Sequence, residues 1–483
     1  MAYSKPDTLN NRMTRARYTR EMVAMERTPP PTTLSRTTLS RTTVVGYAIG
    51  SLGTGGFATL PGLVLVYYLT DTLGVAALLA GLLVTIAKVW DVIIDPVIGA
   101  RSDRSLAVTG SRRPVMILGA VTLPVFFILT FAVPTGLPPL VSGLWVLVAF
   151  ILTATSFSLF QVPYIALPAE LVSDYDQRTR LLSWRVVVLT FAILLFGAGG
   201  PALRDIGEGY FKYLVMAVIA GLVIGLGMLV SSFVAAKNVG FSDAPRHSVK
   251  ENYAVGLRTL RRSPAFRSLL LTFLLQGLAT GLMLAGAQYV ATWVLGSEGA
   301  VTLLFIALIA PALVAAPLWG VIAKRIGKER GFVWASALFG VAALSMLLLA
   351  WYPGDWVYLP VALAGAGYAG MQSLPMAMLP DVISHDAVTH GEGQAGSFGG
   401  VWTAGETAGM ALGATVLTIV LAASGYLSSV GNAGAHQPDS AVAGIVLSFS
   451  IVPAVIIAFS LWSFSRYPLR KADIDAAAEE VAS

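Results

Sequence analysis

Two aspartates lie inside an apolar run of the chain, Val75 to Pro96, at positions 91 and 95. The run is long enough to cross a bilayer. A carboxylate at that depth costs about 2.5–3.5 kcal/mol on insertion scales. Residues four apart share one face of a helix, and Lys88, three before Asp91, joins them there. A chain tolerates such a face when it lines a wet cavity and the charge has a task. The default task is to hold a cation or a proton during transport. The competing reading is a structural ion pair between Lys88 and Asp91. Buried ion pairs seldom stabilise more than apolar packing does, which weighs against it.

Other polar groups interrupt apolar stretches. Glu406 stands in Trp402-Thr-Ala-Gly-Glu-Thr-Ala-Gly409, among small residues that thin a helix and admit water or a neighbour. It is read as a proton site or a substrate contact, or else as a hydrogen bond that pins a bent helix. Arg185 offers a planar fork for an anionic group, or anchors its helix at the interface. Gln161 and Gln372 can each donate and accept, to a substrate or between helices. The glycine-rich run from Gly50 to Gly56 is no phosphate loop, because no Lys-Ser/Thr follows it.

The elements that must position these groups follow from composition. The 483 residues are 56% hydrophobic and 12% charged, with a net charge of +6, and the mean hydropathy is +0.74. A soluble chain carries roughly 25% charged residues, so this is an integral membrane protein. Apolar windows near spanning length fall at 45–69, 75–100, 114–134, 138–166, 184–203, 212–236, 267–295, 300–322, 331–351, 356–378, 396–424 and 440–465. Twelve helices are therefore expected. They form two halves of six, 45–236 and 267–466, joined by a polar, basic linker at 237–266. Lys and Arg crowd the N-terminal tail, the linker and the loops after spans two, four and eight. The opposite loops hold little beyond Arg204 and Lys212. Both termini are thus expected on the cytoplasmic side. The tail 1–44, with its Pro29-Pro30-Pro31 run, is read as a disordered cytoplasmic extension, and 467–483 as a second tail.

The halves echo each other. Pro96, Gly99 and Arg104 keep the spacing of Pro317, Gly320 and Arg325. Gln161 precedes Glu170 by nine residues, as Gln372 precedes Asp381. A parallel repeat of six-helix halves is the architecture of the major facilitator superfamily, in which substrate sits near the midplane between the halves. The expected fold is therefore an all-α integral membrane protein of two pseudo-symmetric six-helix halves. The charges Asp103, Arg104, Glu170, Lys324, Arg325 and Asp381, at the cytoplasmic helix ends, are read as a gate that holds the outward-open state, against ordinary solvated loop charge.

Several motifs together resemble the glycoside–pentoside–hexuronide:cation symporters, the group that includes the melibiose permease. They are Trp90-Asp91-Val-Ile-Ile-Asp95-Pro96, Tyr67-Tyr68-Leu-Thr-Asp71, Ala169-Glu170-Leu-Val-Ser-Asp174-Tyr175, Leu379-Pro380-Asp381-Val-Ile-Ser-His385-Asp386 and Arg262-Ser-Pro264-Ala-Phe266. The resemblance implies that Asp91 and Asp95 bind the coupling cation, with Ser158 at the position of a helix-four hydroxyl that joins them. It implies that Arg185 contacts substrate and that Thr54 and Gly55 face the cavity. The sugar apparatus departs from the pattern. The melibiose permease's two sugar-binding aspartates, in helices one and four, are Gly55 and Gln161 here. A helix-four tryptophan is Ile165, and the span-eleven lysine is Glu406.

The expected activity is cation-coupled symport of a sugar, glycoside or similar small solute, with Na⁺ or H⁺ as coupling ion and no other cofactor. Transport of an amphiphile such as a lysolipid is the rival, favoured by the missing carboxylates and by Ile165. An enzyme or sensor role finds no nucleophile–base pair and no metal spacing. The chain has no cysteine, and its four histidines, His247, His385, His390 and His436, are scattered. The expected partners are a small solute and the lipid bilayer, with no nucleic acid, for a protein acting as a monomer in a bacterial inner membrane.

Overall fold

A computed structural model of the chain describes residues 40–171, 175–204, 206, 211–236, 260–390, 395–428 and 436–469. Nearly all of the expected N-terminal tail, residues 237–259 of the linker and the last fourteen positions lie outside them, as do the side chains of Glu170 and Asp174.

The described residues form long helices in series. Those of the N-terminal half are α1 Arg41–Thr72, α2 Ala77–Thr109, α3 Arg113–Phe131, α4 Pro139–Leu171, α5 Tyr175–Arg204 and α6 Phe211–Val234. Those of the C-terminal half are α7 Pro264–Val294, α8 Ala300–Ile326, α9 Lys328–Ala350, α10 Tyr358–His390, α11 Ala395–Ala423 and α12 Asp439–Phe464. Eleven contain segments long and apolar enough to cross a membrane. The remaining helix, α10, has the length but is diluted by glycines, Tyr368 and Gln372.

Local chemistry sets the ends. α2 runs nine residues past its expected apolar window and stops at Gly110, whose φ of 69° is left-handed. α7 starts three residues before its expected edge. Ser263 accepts a hydrogen bond from the Phe266 N–H at 3.3 Å, and Pro264 follows at the first helical position. α5 likewise begins ahead of its apolar window, at Tyr175. Hydropathy marks what meets lipid, whereas caps mark where helices end.

The same pairings recur in both halves. α3 packs on α4 and α6, as α9 packs on α10 and α12; α1 packs on α5, as α7 packs on α11. The repeat read from short motifs is a repeat of helix contacts. At the α7–α11 seam, Gly413 lies against the backbone of Gly281 and Leu282, so a side chain there has no room. The halves meet through α2 with α11, α5 with α8, and α1 with α7.

Candidate functional site

α2 has two characters. Leu78, Leu82, Ile86, Val89, Ile93 and Val97 form an outward stripe, each at least 48% exposed. Asp91 and Asp95 fall roughly opposite this stripe at 100° per residue, and both are half-buried. The acids therefore look into the protein. The Asp91 side chain is 13% exposed and that of Lys88 is 29% exposed, so water reaches the pair. The Lys88 ammonium lies 3.2 Å from Asp91 Oδ2 and 5.7 Å from the centre of the Phe57 ring. Oδ1 of Asp91 and Oδ1 of Asp95 are buried and lack a hydrogen-bond partner among the described residues. Ser158 of α4, itself buried, places its hydroxyl at the Asp95 carboxyl.

Unmet buried acceptors are expensive unless something fills them. Two carboxylates and a hydroxyl present hard oxygens of the kind that suit a small monovalent cation. Among the described residues, no three His, Cys, Asp or Glu meet as they would around a multivalent metal. α4 is held to α2 at this level by Trp90, whose indole N–H donates to Thr155 Oγ1 at 2.9 Å. Thr155 precedes Ser158 by one helical turn, so this bond sets where the Ser158 hydroxyl sits. The sequence reading missed Thr155; its spacing from Ser158 was the available signal.

Further along the N-terminal half, Thr54 donates to Gln161 Oε1 at 2.7 Å. Tyr164 donates to Tyr47 O at 2.8 Å and shares a 2.9 Å bond with Ser51. The Arg185 guanidinium lies 5.6 Å from the Tyr164 ring centre, and its Nε is buried without a partner. Ile165 is 51% exposed. Gly55, expected to face the cavity, sits instead in the α1–α5 seam. A Cβ there would come 2.7 Å from Ala192 Cβ and 3.1 Å from Leu189 O. A glycine at that position lets two helices touch, which leaves Thr54 as the cavity-side residue of the pair.

In the C-terminal half, Gln372 donates to the Tyr368 hydroxyl at 2.9 Å. The Glu406 carboxyl is the charged neighbour of that same hydroxyl. Tyr368 and Gln372 therefore form one polar pair on α10, within electrostatic reach of Glu406 on α11.

The two ends of the bundle differ. At the end away from the basic loops, the halves are tied. Asp71 of α1 accepts from Tyr426 at 2.6 Å and from Thr70 at 2.5 Å, and Thr70 bonds Tyr289 of α7 at 2.7 Å. Arg204 donates to Gln288 at 2.6 Å, and Lys212 pairs with Glu298 at 3.4 Å. Thr85 of α2 bonds Thr415 of α11. At the basic end, the ion pairs found among the described residues stay within each half. Asp103 pairs with Arg112 at 2.6 Å, Asp381 with Lys328 at 2.6 Å, and Asp386 with Arg262. Arg104, Lys324 and Arg325 are exposed. The sequence reading grouped Asp381 with Lys324 and Arg325; its partner in the structure is Lys328, one turn further on at the start of α9. It gave Asp71 no role, because its partner across the halves, Tyr426, stands 355 residues away.

A family model described as MFS/sugar transport protein matches residues 46–471. The glucuronide carrier protein homolog of Escherichia coli strain K12 is 26% identical, over 88% of this chain and 92% of its own. The inner membrane symporter YicJ of the same strain is 24% identical, over 88% and 90%. The sodium-dependent lysophosphatidylcholine symporter 1 of Gallus gallus is 24% identical, over 88% and 85%. Among solved structures, a bacterial homolog of the human lysosomal transporter Spinster, inward-facing and unoccupied, shares the fold. Its TM-score is 0.65 at 14% identity, over 88% of this chain and 95% of that one.

Proposed function

The chain belongs to the family of MFS/sugar transport proteins, and from that premise we propose that Asp91, Asp95 and Ser158 carry the coupling cation of a symporter. The observation that carries this reading is the pair of buried, unpartnered carboxyl oxygens on the inward face of α2. The basic end is cytoplasmic by its loop charges, so the tied end is the outer one and the conformation is inward-facing. In this state Lys88 holds one oxygen of Asp91 and leaves the others for an arriving cation. A bound cation cancels negative charge beside the substrate cleft. Cation and substrate then raise each other's affinity, as linkage requires. Gln161, Thr54, Ile165 and Arg185 form the N-terminal wall of the substrate cleft, and Gln372 and Glu406 the C-terminal wall. Asp103, Arg104, Glu170, Lys324, Arg325 and Asp381 close the inner end when the halves rock together.

The substrate is a small organic solute of sugar or glycoside size. A second reading, an amphiphile, is favoured by the exposed Ile165 and by the relative that is a lysophosphatidylcholine symporter. The test is uptake into proteoliposomes of a panel of glycosides, uronates and lysolipids, under separate Na⁺ and H⁺ gradients. Asp91→Asn and Asp95→Asn are each expected to abolish accumulation while leaving the protein folded. Accumulation at the wild-type level by either variant would remove that residue from the cation site.

A further inference from the structure

Four arginines follow the apolar part of α2, and the fold uses them in two ways. Arg112 is buried and meets Ser102 at 2.8 Å and Asp103 at 2.6 Å. Arg113 lies over the Phe233 ring of α6, 4.4 Å from its centre. Arg101 and Arg104 stay exposed, and no other group among the described residues engages them. They line an open furrow of about 710 Å³ between α2 and α3, together with Val108, Pro114, Val115 and Leu118.

The position of the furrow says what it meets. The outward stripe of α2 runs from Leu78 to Val97. That is about 29 Å of helix, close to the roughly 30 Å of a bilayer's hydrocarbon core. Arg101, Arg104 and Val108 carry the stripe on in steps of three and four residues. The two arginines thus follow its apolar part by about 6 and 10 Å, where headgroups add about 5–8 Å to each side of the core. Opposite them, Leu118, Val121 and Val125 form the exposed stripe of α3. The furrow therefore opens where two lipid-facing stripes reach the headgroup layer.

Its polar groups select the charge of the occupant. Ser105 and Thr109 spend their hydroxyl hydrogens on the backbone carbonyls of the α2–α3 turn. No Asp or Glu among the described residues lines the furrow. The two guanidiniums are its unspent donors, and their planar forks match phosphate oxygens. Anchoring of a span by loop charge needs no such furrow.

We propose that this furrow holds one anionic phospholipid, with its phosphate between Arg101 and Arg104. Its acyl chains enter the membrane past Val97 and Leu118, and its headgroup lies toward Val108 and Pro114. The site needs only that α2 and α3 span a bilayer, so it stands or falls apart from the symport reading. Arg104 is also one of the charges given above to the inner gate, whereas Arg101 is not, so Arg101→Gln separates the lipid site from the gate.

The test uses the purified full chain, delipidated in a neutral detergent. Phosphatidylglycerol or phosphatidylcholine with the same acyl chains is titrated in, and native mass spectrometry reads the affinity of the first lipid bound. Inorganic phosphate is the competitor without acyl chains. Phosphatidylglycerol is expected to bind roughly tenfold tighter than phosphatidylcholine, and phosphate is expected not to displace it. Arg101→Gln is expected to weaken it about fivefold, and the double variant with Arg104→Gln about thirtyfold. Leu118→Trp, which fills the membrane end of the furrow without changing charge, is expected to weaken it as well. Arg261→Gln with Arg267→Gln removes the same charge from exposed positions of the other half and is expected to leave the affinity within about twofold. Equal affinity for the two lipids, or wild-type affinity in the folded Arg101→Gln, Arg104→Gln variant, overturns the proposal. Equal losses in the two double variants also overturn it, since the attraction is then diffuse. So does displacement by phosphate, which would make the furrow a site for free anions.

Discussion

The bond between Tyr426 and Asp71 exists only while the tied end is closed, so Tyr426→Phe probes the conformational balance directly. Asp71 accepts hydroxyl donors on both oxygens, at 2.6 Å from Tyr426 and 2.5 Å from Thr70, and is 1% exposed. A carboxyl met by hydroxyls on both oxygens is held in place in the closed state. Bonds to charged groups are worth about 1.5–3 kcal/mol in proteins, while interhelical bonds in membranes average about 0.6 and reach about 1.7 kcal/mol. The ranges overlap near 1.5 kcal/mol, roughly tenfold in an equilibrium constant. In the open state water solvates Asp71 with or without the phenol, so the whole loss falls on the closed state. The chain has no cysteine, so one introduced thiol reports cleanly. Thr418→Cys places it at a fully buried position between α2 and α11. Adding Tyr426→Phe is expected to speed labelling by a small thiol reagent, applied from the tied side, by roughly tenfold. A rate within twofold of the Tyr426 parent would refute the gate assignment.

Two further outcomes test the site. Ser158→Ala removes one oxygen from the cation's donor set and is expected to cost about 1.5 kcal/mol, read as a roughly tenfold higher cation concentration for half-maximal uptake with the maximal rate kept; an unchanged half-saturation would take Ser158 out of the set. Gly55→Leu drives a side chain into the α1–α5 seam and is expected to destabilise the protein by about 1–3 kcal/mol, seen as a lower melting temperature. Unchanged stability with altered substrate choice would return Gly55 to the cavity wall.

The membrane class, the two halves and the acid pair were legible along the chain. Each is a local or periodic property: window hydropathy, charge in the loops, and two carboxylates four residues apart in an apolar run cannot be hidden by any later folding. The spacing also settled which residues share a face of α2, since helix geometry is the same wherever the helix lies. Which way that face looks emerged with the packed fold, because burial depends on the neighbours. It moved Gly55 from cleft to seam for the same reason: a glycine in a helix reads alike whether it faces water or Ala192. It found the tie between Asp71 and Tyr426, 355 positions apart, and set Lys328 rather than Lys324 or Arg325 beside Asp381. Such pairings arise from how helices cross in space, and no one-dimensional pattern carries that distance.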